Sequence, residues 1–586
     1  MRLLGIFLTL ASALTAASPG YVEPAACRPC HQEIYDRYLE TPMGRSFAHS
    51  ADARRIADWD GASFYHKASD RHYEMFRRGD SLYVRRYVMR DGRRELILER
   101  RVTHVMGSGE RAVSFLHQTP QGRLFELPVS WYTQEQTWAM APGYDRADHP
   151  GFGRQVNHKC MFCHNAYPAV DPAQARPGWD ADVLFPEGLP SGIDCQRCHG
   201  PGERHAETAE PDDIVNPAKL SAERSLETCM QCHFETTTFL LPDSLRRFGR
   251  SFYSYKPGEP LGEYAAYFDH APGKGWDEKF EIVSAAYRLR QSQCFLESAG
   301  EMTCLDCHNP HQRPTSASRP AYYRERCLQC HATVEAHPST EDLDCASCHM
   351  PKRRTEDVVH VVMTDHKIVK RPPKGDLLAR LEEKSEREQT YRGEVAPAYP
   401  EATQEDAVYV GIAQVKHRAN LRDGVRRLQG LLEAEGSLFP DPWLELAEAQ
   451  RSLNRDKEAE YAYRKALAAG SDHPQAWNNF ANLLADQGRV QEALQAYRRA
   501  IGLTPWDSQL HVNLGLAFVE AGRPAQALEA FESAVAANPA DPEAHANLGA
   551  LLLSMGQKAE ARLSLQTALT LEPNHKEARR NLRLTR

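Results

Sequence analysis

The sequence predicts a mainly α chain in two parts. Short helices and loops wrapped round bound groups come first and enclose a β-rich insert, and an α-α superhelical solenoid follows. Three observations predict this. A five-residue phrase, Cys-x-x-Cys-His, occurs seven times before residue 350. A period of 34 residues runs through the C-terminal third. Between the first two phrases lie 128 residues, 32–159, rich in aromatic and β-branched residues that often alternate with polar ones.

The phrases are Cys27–Cys30–His31, Cys160–Cys163–His164, Cys195–Cys198–His199, Cys229–Cys232–His233, Cys304–Cys307–His308, Cys327–Cys330–His331 and Cys345–Cys348–His349. This spacing is the attachment signal for c-type haem. Residues three apart share a face of a helical turn, so both thiols reach one macrocycle, and the adjacent histidine supplies the proximal nitrogen to iron. Fourteen of the fifteen cysteines fall in these phrases. Zinc sites also use Cys-x-x-Cys pairs, but zinc chemistry does not require a histidine directly after each pair. The expectation is a multihaem cytochrome c domain carrying seven covalently attached haems.

At 586 residues the chain is long enough for several domains. Its composition, 41% hydrophobic and 26% charged with a formal charge of −8, describes a soluble globular protein and offers no broad basic face for nucleic acid. Arg2 followed by LLGIFLTLASALTAA reads as a signal peptide over 1–17. No later run approaches the roughly 18 apolar residues of a membrane span. The mature protein is therefore expected in the periplasm or outside the cell.

The multihaem cytochrome c domain is expected over 18–368. Its β-rich insert at about 60–155 is marked by FYHKAS, HYEMFRR, SLYVRRYVM, ELILERRV and RLFELPVSWY, with Asp91-Gly92 and the TPQG at 119–122 as turns. From 156 to 350 the remaining proximal histidines follow at intervals of 35, 34, 75, 23 and 18 residues, so dense that the haems themselves must form the core. Residues 369–402 are charged and contain proline, as a linker does, with room for one short helix. In 403–586, Gly488, Gly522 and Gly556 recur at the period, as do Ala493, Ala527 and Ala561 and Pro505, Pro539 and Pro573. This is the tetratricopeptide signature, clear over four repeats at about 441–575, with a degenerate one at 407–440. His511 and His545 occupy the register of Trp477 and are expected to pack or line the groove.

Each iron needs a second ligand, drawn from the other histidines or from methionine. His311 lies three residues after His308, and three residues span at most about 10 Å, too little to round a haem edge. If His311 is a ligand it serves a neighbouring haem, and His205, six residues after His199, does the same. His360 and His366 in DVVHVVMTDH would lie about 20 Å apart in an extended chain and suit two different haems. His117 in SFLHQ is a weaker candidate, packing being the alternative, and Met43 in TPMGRSF is weaker again. Cys294 is the odd thiol, expected to be buried and unreactive.

The chain resembles the bacterial multihaem cytochromes with C-terminal tetratricopeptide repeats. Its haem domain is similar to the tetrahaem cytochrome family that accepts electrons from hydroxylamine oxidation. The resemblance rests on YLETPMGRSF, VMGSGERAVSFLHQTPQGRLFELPVSWY, CMFCHNAYP, GIDCQRCHGPGERH, CMQCHFETTTFLLP, YRLRQSQCFLESAGEMTCLDCHNPH and SCHMPKRRTEDVVHVVMTDH. It implies that His205 and His311 are distal ligands and favours His360 and His366. Where the resembled pattern has Asn-His-Ala-Arg after GSG, this chain has Glu110-Arg111-Ala112-Val113. If the missing histidine is a ligand, one haem here uses a substitute or lies open.

Three functions are weighed. The first is a non-catalytic electron carrier between redox partner proteins docked through the repeats, with no catalytic residue. The second is an oxidoreductase with one open haem acting on a nitrogen or sulfur oxyanion, for which Arg111 is a candidate contact. The third is a subunit of an extracellular electron-conducting assembly.

Overall fold

The computed structural model describes residues 20–51, 57–167, 183–236, 244–331, 344–371, 373–384, 391–401, 403, 406–470 and 472–586. The expected signal peptide lies outside the described residues.

Two antiparallel sheets form a β-sandwich. One is a meander of Ala62–His66, Arg71–Arg78, Ser81–Arg90 and Arg93–Val102. The other orders Phe47–His49, His104–Met106, Ala112–Gln118, Leu124–Tyr132 and Thr137–Met140. Asp91-Gly92 makes the two-residue hairpin expected of it, both residues at positive φ (47° and 74°), with Arg90 opposite Arg93. Tyr73, Met75, Val84 and Val102 from the first sheet meet Val113, Phe115, Leu127 and Val129 from the second in a shared core. Strand Leu124–Tyr132 is buried at every position. Its Leu124 joins Leu116, Val156, Met161 and Phe185 in a second cluster beside Cys160, which seats the motif at 160–164 on the sandwich.

Most motifs sit on short helices: His158–His164, Gln196–His199, Ala222–His233, Arg319–Cys330 and Cys345–His349. Side-chain caps start several of them. Asn157 accepts from Cys160 N, Ser221 from Arg224 N and Asp344 from Ser347 N. A modest apolar cluster of Phe162, Leu226, Met230, Phe234, Tyr264 and Leu289 packs around Cys163, Cys232 and Cys304.

The stretch 369–402, expected as a linker, is not a free tether. Val395–Tyr399 pairs antiparallel with Ala265–His270, which also pairs with Ser244–Arg246. Val395 and Tyr399 are buried there, so apolar burial and a strand partner hold a segment whose composition suggests a spacer. No helix occurs among the described residues of 369–402.

The C-terminal region is an array of helix pairs. Ala407–Lys416 with Leu421–Glu435 is the degenerate first pair, and the four clear repeats run from Pro440–Ser452 to Lys558–Leu571, capped by Lys576–Leu584. Ala493, Ala527 and Ala561 are fully buried at the helix crossings. Gly515 shows why: a Cβ there would lie 2.4 Å from the Phe531 ring. His511 and His545 bond Pro505 O (2.9 Å) and Pro539 O (3.1 Å), tying each first helix to the proline turn before it.

The array is fastened to the rest at both ends. At its start, Arg247 pairs with Asp406 at 2.5 Å and Phe248 stacks on Tyr409 at 4.4 Å. Further along, two fully buried sandwich arginines reach backbone carbonyls, those of Thr570, Leu571 and Ala537 at helix C-termini and that of Trp506 in the turn before Ser508–Glu520. Arg86 donates to Leu571 O (3.2 Å) and Thr570 O, and Arg123 to Ala537 O (2.6 Å) and Trp506 O. Cations suit those ends, where backbone carbonyls lack helical partners.

Candidate functional site

The variable positions inside the motifs bind the motifs to one another. Arg197, in the motif 195–199, donates to Phe162 O at 2.7 Å in the motif 160–164. Gln231, in the motif 229–233, donates to Arg197 O at 3.1 Å. The thiols also meet across motifs: Cys27 with Cys195, Cys163 with Cys232, Cys229 with Cys304 and Cys327 with Cys345. The Tyr323 hydroxyl, on the helix that carries the sixth motif, lies 3.3 Å from His308 Nδ1 of the fifth. In order of contact the motifs therefore run first, third, fourth, fifth, sixth and seventh, with the second meeting both the third and the fourth.

Three proximal histidines face a second imidazole. His31 and His205 have ring centroids 6.2 Å apart and planes 20° from parallel. His199 and His311 stand at 5.9 Å and 10°, and His308 and His366 at 6.2 Å and 38°. Two imidazoles ligating one metal from opposite sides, each nitrogen about 2 Å from it, need such a spacing. His205 and His311 thus face the proximal histidines of other motifs, not those nearest in sequence.

Hydrogen bonds fix the tautomer. Nδ1 donates to a carbonyl in His199 (Val215 O, 2.8 Å), His205 (Glu210 O, 2.8 Å), His349 (Val369 O, 2.8 Å) and His366 (Thr364 O, 3.1 Å). A carbonyl only accepts, so the proton is on Nδ1 and Nε2 keeps its lone pair for a metal. Burial also favours the neutral, ligating form, holding His164 and His366 down to about 4 and lowering His199, His233, His308 and His311. These donors fit haem iron.

Three sequence candidates stand apart. His360 lies against Tyr132 at 4.7 Å, with Asp145 at 3.7 Å and Glu135 at 3.9 Å, facing no proximal ring. It precedes the strand Val362–Thr364, so His360 and His366 do diverge, but His360 ends in a carboxylate pocket. His117 donates from Nδ1 to Arg101 O at 2.8 Å, and burial holds it down to about 4. It also has no proximal ring opposite among the described residues. Met43 is placed beside the second motif through Ser46, whose hydroxyl lies 2.8 Å from both Met43 O and His164 O. Among the described residues no second imidazole faces His164, His233 or His331. Cys294 is half-buried near Cys330, and burial pushes its thiol up.

Sequence reasoning missed the anchor of His366. Arg288, fully buried, grips Asp365 through Nε (2.9 Å) and Nη2 (2.7 Å), and Arg353 adds a third bond at 3.0 Å. The only signal was an acidic residue directly before a candidate ligand.

Among the described residues no helix is long and apolar enough to cross a membrane. The family described as "Doubled CXXCH motif" matches residues 298–336, spanning the fifth and sixth motifs. Tetratricopeptide repeat families match 418–474, 481–522 and 518–583. The chain is 25% identical over 182 residues to the "Multiheme cytochrome MtrA" of Shewanella baltica (strain OS185), covering 30% of this chain and 52% of that protein. It thus spans about half the length of the curated relative it matches. Among solved structures, it is similar to a crystal structure of MamA (20% identity, 28% of this chain, 94% of that one, TM-score 0.26). It is also similar to pilF of Pseudomonas aeruginosa (26% identity, 31% and 87%, TM-score 0.26). The chain joins the haem-attachment motifs of a multihaem cytochrome to an array of tetratricopeptide repeats.

Proposed function

We propose that the protein is an exported heptahaem c-type cytochrome that passes electrons between redox partners, one of them docked on the repeat array. The observation that carries this reading is the unbroken order of motif contacts, with imidazole pairs at 5.9–6.2 Å along it. Likeness to a multihaem cytochrome supports it, and the N-terminal LLGIFLTLASALTAA supports export. The motifs quoted above support the finer likeness to the tetrahaem family that accepts electrons from hydroxylamine oxidation.

Bound haem supplies the one-electron ferric/ferrous couple. The chain's own residues do the rest. The fourteen motif cysteines would hold the groups covalently and the seven motif histidines would each ligate an iron. His205, His311 and His366 would supply the second ligand for the first, third and fifth motifs, and two protein ligands on an iron would limit rearrangement on reduction. Met43, beside the second motif, remains a candidate there, whereas His117 and His360 face no motif histidine.

The oxidised holoprotein is expected to give only low-spin electron paramagnetic resonance signals and, once reduced, no carbon monoxide adduct. A stoichiometric high-spin signal with carbon monoxide binding overturns the conduit and favours an oxidoreductase acting on a nitrogen or sulfur oxyanion. One observation favours that second reading: Arg111 is half-buried beside Arg313 and Arg319, with Glu110 paired to Arg313 at 2.5 Å. Sedimentation as a discrete small particle argues against a conducting filament.

A further inference from the structure

Arg197 carries a buried charge, and no carboxylate meets its guanidinium in a hydrogen bond among the described residues. Its side chain is 1% exposed. One Nη donates to Phe162 O, and the guanidinium lies 4.2 Å over the Phe162 ring and 4.6 Å over Tyr167. Its Nε and second Nη meet no oxygen acceptor among the described residues, and the Cys232 sulfur is the polar atom set against the guanidinium. Asp194 does not serve them. Its oxygens take the backbone N–H of Arg197 (3.2 Å) and the Gln196 amide (3.0 Å). Around the guanidinium stand Cys163, Cys232, Tyr167 and Tyr264. The two cysteines are neutral thioethers once joined to haem, and burial keeps the Tyr264 phenol protonated. A guanidinium is always charged, and burying one with unsatisfied N–H groups is costly unless an anion meets it.

Three haem-attachment motifs converge on this point. Arg197 belongs to the third, Phe162 to the second, and Gln231 of the fourth donates to the Arg197 carbonyl. Each attached haem brings two carboxylates, and a planar guanidinium with two donors that meet no oxygen suits a carboxylate bidentately. We propose that Arg197 binds a haem propionate at the junction of the second, third and fourth motifs. This rests on the reading of those motifs as haem-bearing. The pair lies where the second motif meets the third and the fourth, so Arg197 biases the reduction of the haem whose propionate it holds. The fixed cation offsets the propionate charge, and without it that charge disfavours the added electron.

The test uses the holoprotein with Arg197→Gln and Arg197→Lys. Haem content is counted by pyridine haemochrome, and attachment at each motif by peptide mass. In the Gln variant one haem is expected to lose at least tenfold in its ferrous-to-ferric ratio at fixed potential, while the Lys variant keeps most of it. The redox-difference infrared carboxylate band is expected to move in both variants, because Lys keeps the charge but not the two-pronged geometry. Unchanged midpoints and bands at full haem content overturn the proposal. So does a wild-type midpoint that follows dissolved nitrite or sulfate concentration, which would assign the site to a free oxyanion. If the Gln variant fails to mature, the infrared band of the Lys variant decides: moved supports the proposal, identical overturns it. Peptides of the three motifs lacking haem in the wild type would instead refute the underlying reading.

Discussion

Two helices of similar length show how differently the two halves of the chain are held together. Pro524–Ala537 buries Ala527, Ala530, Phe531 and Ala534 against its repeat neighbours. Arg319–Cys330, which carries the sixth motif, buries none of its residues. The same contrast separates Lys558–Leu571, with five buried side chains, from Cys345–His349, with none. In the array, small residues let helices approach and apolar side chains fill the crossings, so the polypeptide supplies its own core. Around the later motifs the polypeptide supplies attachment points, caps and ligands, and the apolar surface needed for a core is that of the cofactor.

The sharpest way to break this comparison is to withhold haem. Protein made without haem attachment is expected to lose protection from hydrogen exchange across 304–349 while the helices of 440–571 stay protected. Equal loss in both regions would show that the array leans on the haem domain for its fold. Next in size is Asp365→Ala. It strands the buried Arg288 and is expected to cost about 3–5 kcal/mol, with a changed ligand-field spectrum as His366 loses its anchor. A melting curve shifted in the array alone would contradict that. Gly515→Leu addresses the other half. Its side chain must displace the Phe531 ring, an overpacking expected to cost about 1–3 kcal/mol with haem spectra unaltered.

The smallest effect concerns the join between the halves. Burial pushes the Asp406 carboxyl up, but the Thr403 N–H and hydroxyl and the Arg247 guanidinium outweigh it and leave it below the usual range. A depressed carboxylate stabilises fully above its unfolded value, about 3.9, and that contribution fades as pH falls through the folded value. Protection factors for exchange in Ala407–Lys416, corrected for the intrinsic rate at each pH, are therefore expected to be high at neutral pH and to fall on acidification. Asp406→Asn should give the lowered protection already at neutral pH. No difference between Asn and Asp at pH 7 would show that stacking of Phe248 on Tyr409 alone holds the join.

The residues themselves determined the motifs and their histidines, the hairpin at Asp91-Gly92 and the repeat register. Each is a local matter: a spacing, a turn conformation, or a period that neighbouring helices enforce. The reach of a short chain also indicated that His311 could not return to its own motif. Only the tertiary structure decided that His205 faces His31, that His360 sits beside Asp145 and Glu135, and that Val395–Tyr399 closes a sheet. It likewise decided that Arg86, Arg123 and Arg197 are buried. An arginine reads as surface in a sequence, because its charge belongs in water unless carbonyls, a ring face or an anion from distant chain replace that water. Those partners lie up to hundreds of residues away, Arg86 meeting Leu571 across 485, and no local pattern records them.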